Sequence, residues 1–238
     1  MSTKKWTVKS NYGIETVMKP GKANTRRLTA RGAAMRERIV SAAADLVWAQ
    51  GAGQTSLDDV MEKSGASKSQ LYHYFADKDA LLREAAALQT KRVLATHGQL
   101  LDSLDSLDAL RRWRDAVLAL NSQDGCPLGA LVYQLPQSAK RARTVVGDGF
   151  ETWRMQVEKG LVKMRDRGEL SRDASPADIA LAVLTALQGG LLLSKGEKSN
   201  RPLEVAFEMA LAYVAAHAPR SAGEPKPIRT GRGQKERN

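Results

Sequence analysis

From Ser67 to Phe75 the chain reads Ser-Lys-Ser-Gln-Leu-Tyr-His-Tyr-Phe. On a helix, Leu71 and Phe75 stack one turn apart on a single face, while Lys68, Ser69, Gln70, Tyr72, His73 and Tyr74 spread over the remainder. That outward set holds a cation, an amide, hydroxyls and aromatic rings but no carboxylate. The chemistry it supports is hydrogen bonding to an anionic duplex rather than bond making. Lysine and glutamine are side chains that reach guanine and adenine edges. The hydroxyls of Thr55, Ser56, Ser67, Tyr72 and Tyr74, with the ammonium of Lys78, suit phosphate oxygens. Other chemistries find no support. His73, His97 and His217 are too scattered for a metal cluster, Cys126 is the single cysteine, and no nucleophile–base arrangement or phosphate-cradling glycine loop is recognisable. Neither enzymatic activity, nor a metal, nor a cofactor is expected.

Two short helices must hold these residues in place. Ser56 to about Lys63 carries Leu57, Val60 and Met61 on its inner face; Ser64-Gly65-Ala66 forms a tight turn; and Ser67 caps the helix running to Phe75. Isolated helices shorter than about 12 residues are marginal, so both need bracing. The bracing elements are a helix from about Arg31 to Gln50, with Ile39, Ala43, Leu46 and Val47 on one face, and a longer one capped by Asp77 that carries Leu81, Leu82, Ala85 and Leu88. Two helices joined by a glycine-containing turn are the ingredients of a helix-turn-helix.

At these residues the chain resembles the TetR family of transcription regulators. Thr55-Ser56-Leu57-Asp58-Asp59-Val60, the Ser67–Phe75 stretch and Asp77-Lys78-Asp79-Ala80-Leu81-Leu82 are similar to that family's N-terminal signature, and the likeness is strong over residues 31–85. Gly125-Cys126-Pro127-Leu128-Gly129 and Ala186-Leu187-Gln188-Gly189-Gly190 resemble segments of many family C-terminal halves. The resemblance implies a homodimer, recognition of a double-stranded DNA operator by the Ser67–Phe75 helix, and release by a ligand, with repression ahead of activation. Met61 and Ala66 depart from the family's usual small residue and valine; a flexible methionine fills the space that alanine leaves.

The rest of the chain reads as helices, about nine in all, giving an all-α fold. The stripes are Leu107, Leu110, Trp113, Val117 and Leu120; Leu128 to Leu135; Val146, Phe150, Trp153, Val157, Leu161 and Met164; Ile179, Val183, Leu187 and Leu191 behind Ser175-Pro176; and Leu203, Phe207, Leu211 and Val214. Trp113, Tyr133, Trp153, Met155 and Met164 are the candidates to line a largely apolar effector pocket, with plain core as the alternative. Adjacent glycines inside a helix imply a close backbone approach. Leu187, Gly189, Gly190, Leu191, Phe207 and Leu211 are therefore expected at a subunit interface, with close packing inside one subunit as the alternative.

Charge divides the chain as well. Of the formal +11, most sits at the ends: seven cations against Glu15 in residues 1–30, and six against two acids in residues 220–238. Both ends lack apolar periodicity and read as flexible basic arms; Arg26, Arg27 and Arg31 are candidates to contact phosphates or reach the minor groove, with a solvated tail as the alternative. A sequence-nonspecific architectural DNA protein is the competing reading of such arms. No apolar run reaches the roughly 18 residues of a membrane span, and a cytoplasmic protein is expected. The organisation expected is an arm to residue 30, a DNA-binding domain over 31–77, a ligand-binding and dimerisation domain over 78–218, and a tail from 219.

Overall fold

Polar caps fix where the helices start. The computed structural model describes residues 6–8, 16–18, 29–121 and 123–219. Helix α1 (Ala30–Gln50) begins where the Thr29 hydroxyl accepts from Gly32 N, and it ends at Gly51, whose φ of 89° suits glycine. Helices α2 (Leu57–Ser64) and α3 (Lys68–Tyr74) are separated by Gly65 in the left-handed region, at φ 68° and ψ 21°. Asp77 accepts from Ala80 N at 2.7 Å and opens α4 (Lys78–Asp102). Then follow α5 (Leu107–Leu120), α6 (Pro127–Gln134), α7 (Lys140–Asp166), α8 (Pro176–Glu197) and α9 (Arg201–Ala215). Proline stands in the first turn of α6, α8 and α9, where its missing N–H costs nothing.

Nine helices carry the fold among the described residues, in agreement with the all-α expectation. One departure precedes them. Strands β1 (Trp6–Val8) and β2 (Thr16–Met18) pair antiparallel, with Trp6 opposite Met18, inside the segment expected to be a featureless arm. Arg26, Arg27 and the tail from 220 lie outside the described residues.

The buried side chains form two clusters. The smaller joins Ile39, Val40 and Ala43 of α1, Val60 of α2, Leu71 and Phe75 at α3, and Leu81 and Ala85 of α4. Met61 packs against this same cluster, which also buries Ala66. The larger cluster takes Leu82, Ala86 and Val93 from α4 and continues through α5 to α9 around Trp113, Trp153, Leu161 and Leu187, each no more than 1 % exposed. His97 stacks on Trp153 with centroids 5.3 Å apart and meets Trp113 edge-on at 6.2 Å. Cys126 caps α6, its sulfur accepting from Gly129 N at 3.3 Å, and burial pushes the thiol above its ordinary range, as suits a packing residue.

Helix α8 is long and apolar enough, on length and composition, to cross a membrane, which the sequence reading did not anticipate. It lies between α7 and α9, and half of its apolar window is buried there. Gly160 on α7 admits the chain between α4 and α5: a Cβ there would sit 1.8 Å from the Leu104 carbonyl oxygen. Gly147, on the same helix, has open space beside it.

Two outcomes are expected. Gly160→Ala lowers stability by about 3 kcal/mol or more, because backbone must move, whereas Gly147→Ala raises it by up to about 1 kcal/mol through helix propensity; urea midpoints measure both. Burial holds the His97 pKa below its ordinary value of 6.5. The unfolded chain therefore binds the extra proton first, and stability falls as pH drops below about 6.5. Melting temperatures between pH 7.5 and 5 should fall less steeply in His97→Gln than in the wild type.

Candidate nucleic-acid interface

Two reciprocal caps hold the short helix pair. In α2, Asp59 N donates to Ser56 Oγ at 3.0 Å and Ser56 N donates to Asp59 Oδ2 at 2.9 Å. The same exchange opens α3, with Gln70 N to Ser67 Oγ at 3.2 Å and Ser67 N to Gln70 Oε1 at 2.9 Å. Each pair satisfies two backbone donors that a helix start would otherwise leave open. The bond from Ser56 N, with others, keeps Asp59 below the usual carboxylate range. Leu71 and Phe75, 1 % and 2 % exposed, anchor α3 from beneath.

With its inner face anchored, α3 turns Lys68, Ser69, Gln70, Tyr72 and His73 to solvent. Tyr74 is half-buried against the smaller cluster, its ring 5.0 Å from His73 and 6.5 Å from Phe75. Several expected contact residues have structural duties instead. The Thr55 side chain is buried, and its hydroxyl donates to the Gly51 carbonyl at 2.8 Å, so it offers nothing to a phosphate. Lys78 donates to the Thr55 carbonyl at 2.6 Å, pinning the start of α4 to the loop before α2. With Oε1 engaged in the cap, Gln70 leaves Nε2 as its outward group, and a two-point grip on adenine requires the cap to open.

Sequence reasoning missed the residues that hold α1 against α4. Arg92 donates to Asp45 at 2.7 Å and to Ser41 at 2.9 Å. Arg36 pairs with Glu84 at 2.8 Å and lies over the Phe75 ring, 5.4 Å from its centroid. Partners so far apart in sequence leave no periodic trace. Arg31, at the start of α1, is exposed.

The expected pocket lining does not assemble. Tyr133 and Met155, 80 % and 57 % exposed, point outward, and Trp113, Trp153 and Met164 are packed solidly into the larger cluster. An open space instead lies between α4 and α7. It is a cleft of about 550 Å³, lined by Thr90, Lys91 and Leu94 on one side and Val145, Asp148 and Gln156 on the other.

Most of the expected interface residues are occupied inside the subunit. A Cβ on Gly190 would come within 2.9 Å of Leu203 and Ala206, so this glycine serves the approach of α9 within the subunit. Leu187, Leu191 and Phe207 are buried in the same core, and Leu211 packs against it. Of the six, Gly189 alone faces solvent, with nothing within 4 Å of its Cβ position. The outward apolar face of α8 and α9 is formed by Leu181, Leu192, Leu193, Val205, Met209 and Tyr213, each at least 42 % exposed.

Comparison with known proteins fits this geometry. Residues 39–85 match the family model for bacterial regulatory proteins of the tetR family, and residues 107–209 match the C-terminal domain model of LmrA/YxaF-like transcriptional regulators. An uncharacterized HTH-type transcriptional regulator of Mycobacterium tuberculosis is 29% identical over 195 residues, spanning 77% of this chain and 96% of the relative. The HTH-type transcriptional repressor DhaR of a Mycobacterium species is 22% identical over 185 residues, or 74% and 92% of the two chains. The fold matches the crystal structure of a TetR transcriptional regulator from Chloroflexus aurantiacus with a TM-score of 0.69 at 21% identity, covering 78% of this chain and 96% of the other.

The Ser67 cap separates folding from binding. Ser67→Ala should cost about 1 kcal/mol of stability, read from denaturant midpoints. Ser67→Asp keeps the cap and the stability, yet brings a carboxylate to the exposed end of α3 and should weaken DNA binding in a gel-shift titration.

Proposed function

The chain belongs to the TetR family of transcription regulators, and on that premise we propose that it acts in the cytoplasm as a homodimeric repressor, holding an operator in double-stranded DNA until a small molecule releases it. One observation carries the DNA half of this reading: α3 buries Leu71 and Phe75 and turns outward a polar, carboxylate-free face. Lys68, Ser69, Tyr72 and His73 read the major groove. Tyr74 and the exposed N-termini of α2 and α3 at Ser56 and Ser67 lie against the phosphates, where helix N-termini favour negative charge. Residues 31–77 form the DNA-binding domain and residues 78–218 the ligand-binding and dimerisation domain.

Dimerisation uses the outward face of α8 and α9, because an apolar patch of that extent on adjacent helices favours burial against a second copy. For such a dimer to engage DNA, its two α3 helices meet successive major grooves, about 34 Å apart. A ligand that favours a different separation of the two helices weakens operator binding by its differential affinity for the two states.

Fluorescence anisotropy with DNA from upstream of the protein's own gene tests the reading. Two protomers should bind per site, survive excess unrelated duplex, and lose about tenfold or more in affinity in Lys68→Ala, as for the loss of one good base contact. Equal displacement by any duplex, or one protomer per site, would falsify it and favour the architectural alternative.

A further inference from the structure

Two segments singled out in the sequence, Gly125 to Gly129 and Ala186 to Gly190, meet in the structure, and beyond them lies the end of α1. Gln188 Nε2 donates to the Cys126 sulfur at 3.6 Å, and a Cβ on Gly129 would come within 2.7 Å of Gln188 Oε1. Further along α8, the Leu191 carbonyl and the Lys195 stem flank Gly125, where a Cβ would lie 3.9 and 3.3 Å from them. Glycine at φ 82° thus suits both the turn and the close passage of the lysine. Past this loop Lys195 sets its ammonium over the Trp48 ring, 5.5 Å from the centroid. Trp48 stands half-buried in the last turn of α1. Lys195 stands in the last turn of α8, exposed and in no ion pair among the described residues.

Helix α6 closes a bracket around this contact. Its last residue, Gln134, lies against Gly51, with Cδ 3.8 Å from the Cβ position there, and shares the lining of one small void with Trp48, Leu82 and Leu131. Helix α8 therefore has two working sides. Leu181, Leu192 and Leu193 look outward, toward the second copy, whereas Gln188, Leu191 and Lys195 look toward α6 and α1. Because α1 shares the smaller cluster with Leu71 of α3, fixing α1 on α8 also fixes α3 relative to a twofold axis on α8. A cation is drawn to the indole face, and a neutral side chain of the same length is not. We propose that Lys195 is a positioning residue for DNA binding: it ties the dimer-forming helix to Trp48 and so sets the separation of the two α3 helices by a path that bypasses α4. This rests on the dimeric DNA-binding reading above.

The test uses the full-length dimer and the operator that footprinting locates upstream of the protein's own gene. A second duplex carries one base pair inserted between the half-sites, about 3.4 Å more. Lys195→Met keeps the stem and removes the charge. It should lower affinity for the natural site about fivefold, the scale of two exposed cation–π contacts per dimer. Affinity for the lengthened site should stay at the wild-type value, since binding there already breaks those contacts. Lys195→Arg should restore the natural-site affinity, and in a Trp48→Leu background Lys195→Met should have no further effect. Lys198→Met, which removes the same charge about one turn along, should leave both sites unchanged, and sedimentation should show an intact dimer throughout. No loss at the natural site, equal losses at both sites, the same loss in Lys198→Met, no rescue by arginine, or dissociation of the Lys195→Met dimer would overturn the assignment. Wild-type binding reports separately: if it is sequence-specific while these outcomes fail, only this assignment falls, and if it is absent, the regulator reading falls.

Discussion

Helix α4 buries neighbouring residues in different places. Leu81 and Ala85 belong to the cluster beneath α3, whereas Leu82 and Ala86 belong to the larger cluster that runs to α9. Cores pack at crystal-like density and do not shear continuously, so displacing α4 against one cluster disturbs the other. Ion pairs add to this constraint at two levels of the helix, Arg36 to Glu84 near its start and Arg92 to Asp45 further along. Both are partly exposed and contribute modestly to stability. Their value is positional, since they make α1 and α4 travel as a unit, and α1 packs with α3 in the smaller cluster.

Order in the short helix pair draws on the same polar groups that a sequence reading assigns to recognition. Helices of eight and seven residues cannot persist on propensity. Ser56, Ser67 and Gln70 close caps, Thr55 closes a loop, and Lys78 ties that loop to α4. The set free to read a duplex is correspondingly narrower: Lys68, Ser69, Tyr72 and His73, all on the open side of a helix whose placement those other residues secure.

Much of this was legible in the chain. The stripe through Val146, Phe150, Trp153, Val157, Leu161 and Met164 is buried except at Phe150, which is half-buried and packs against the same core, and the caps at Asp77 and Ser175 stand where helix-start chemistry puts them. Periodicity reports that a residue shares a face with its neighbours; it does not report what covers that face. Gly189 and Gly190 differ by a single step of about 100°, enough to send one to solvent and the other against α9. Tyr133 and Met155 were aromatic and flexible enough for a pocket but lie on outward faces. Contacts such as Arg92 to Asp45, 47 residues apart, depend on how whole helices dock, and nothing local encodes them. The cleft was invisible for the same reason: Thr90 and Gln156 are ordinary helix residues until α4 and α7 are laid side by side.

The tight seat of Leu104 against Gly160 sets how those two helices can separate. Thr90 lies beside Gly149 and Leu104 beside Gly160, so α4 and α7 run in the same direction and are pinned at the far end. A rigid α4 turning about that pin behaves as a lever with its fulcrum just past Asp102. At about 1.5 Å of rise per residue, Thr90 stands roughly 20 Å from the fulcrum and Lys78 roughly 40 Å. A displacement of α4 from α7 at Thr90, turning about that pin, therefore moves the first turn of the helix about twice as far.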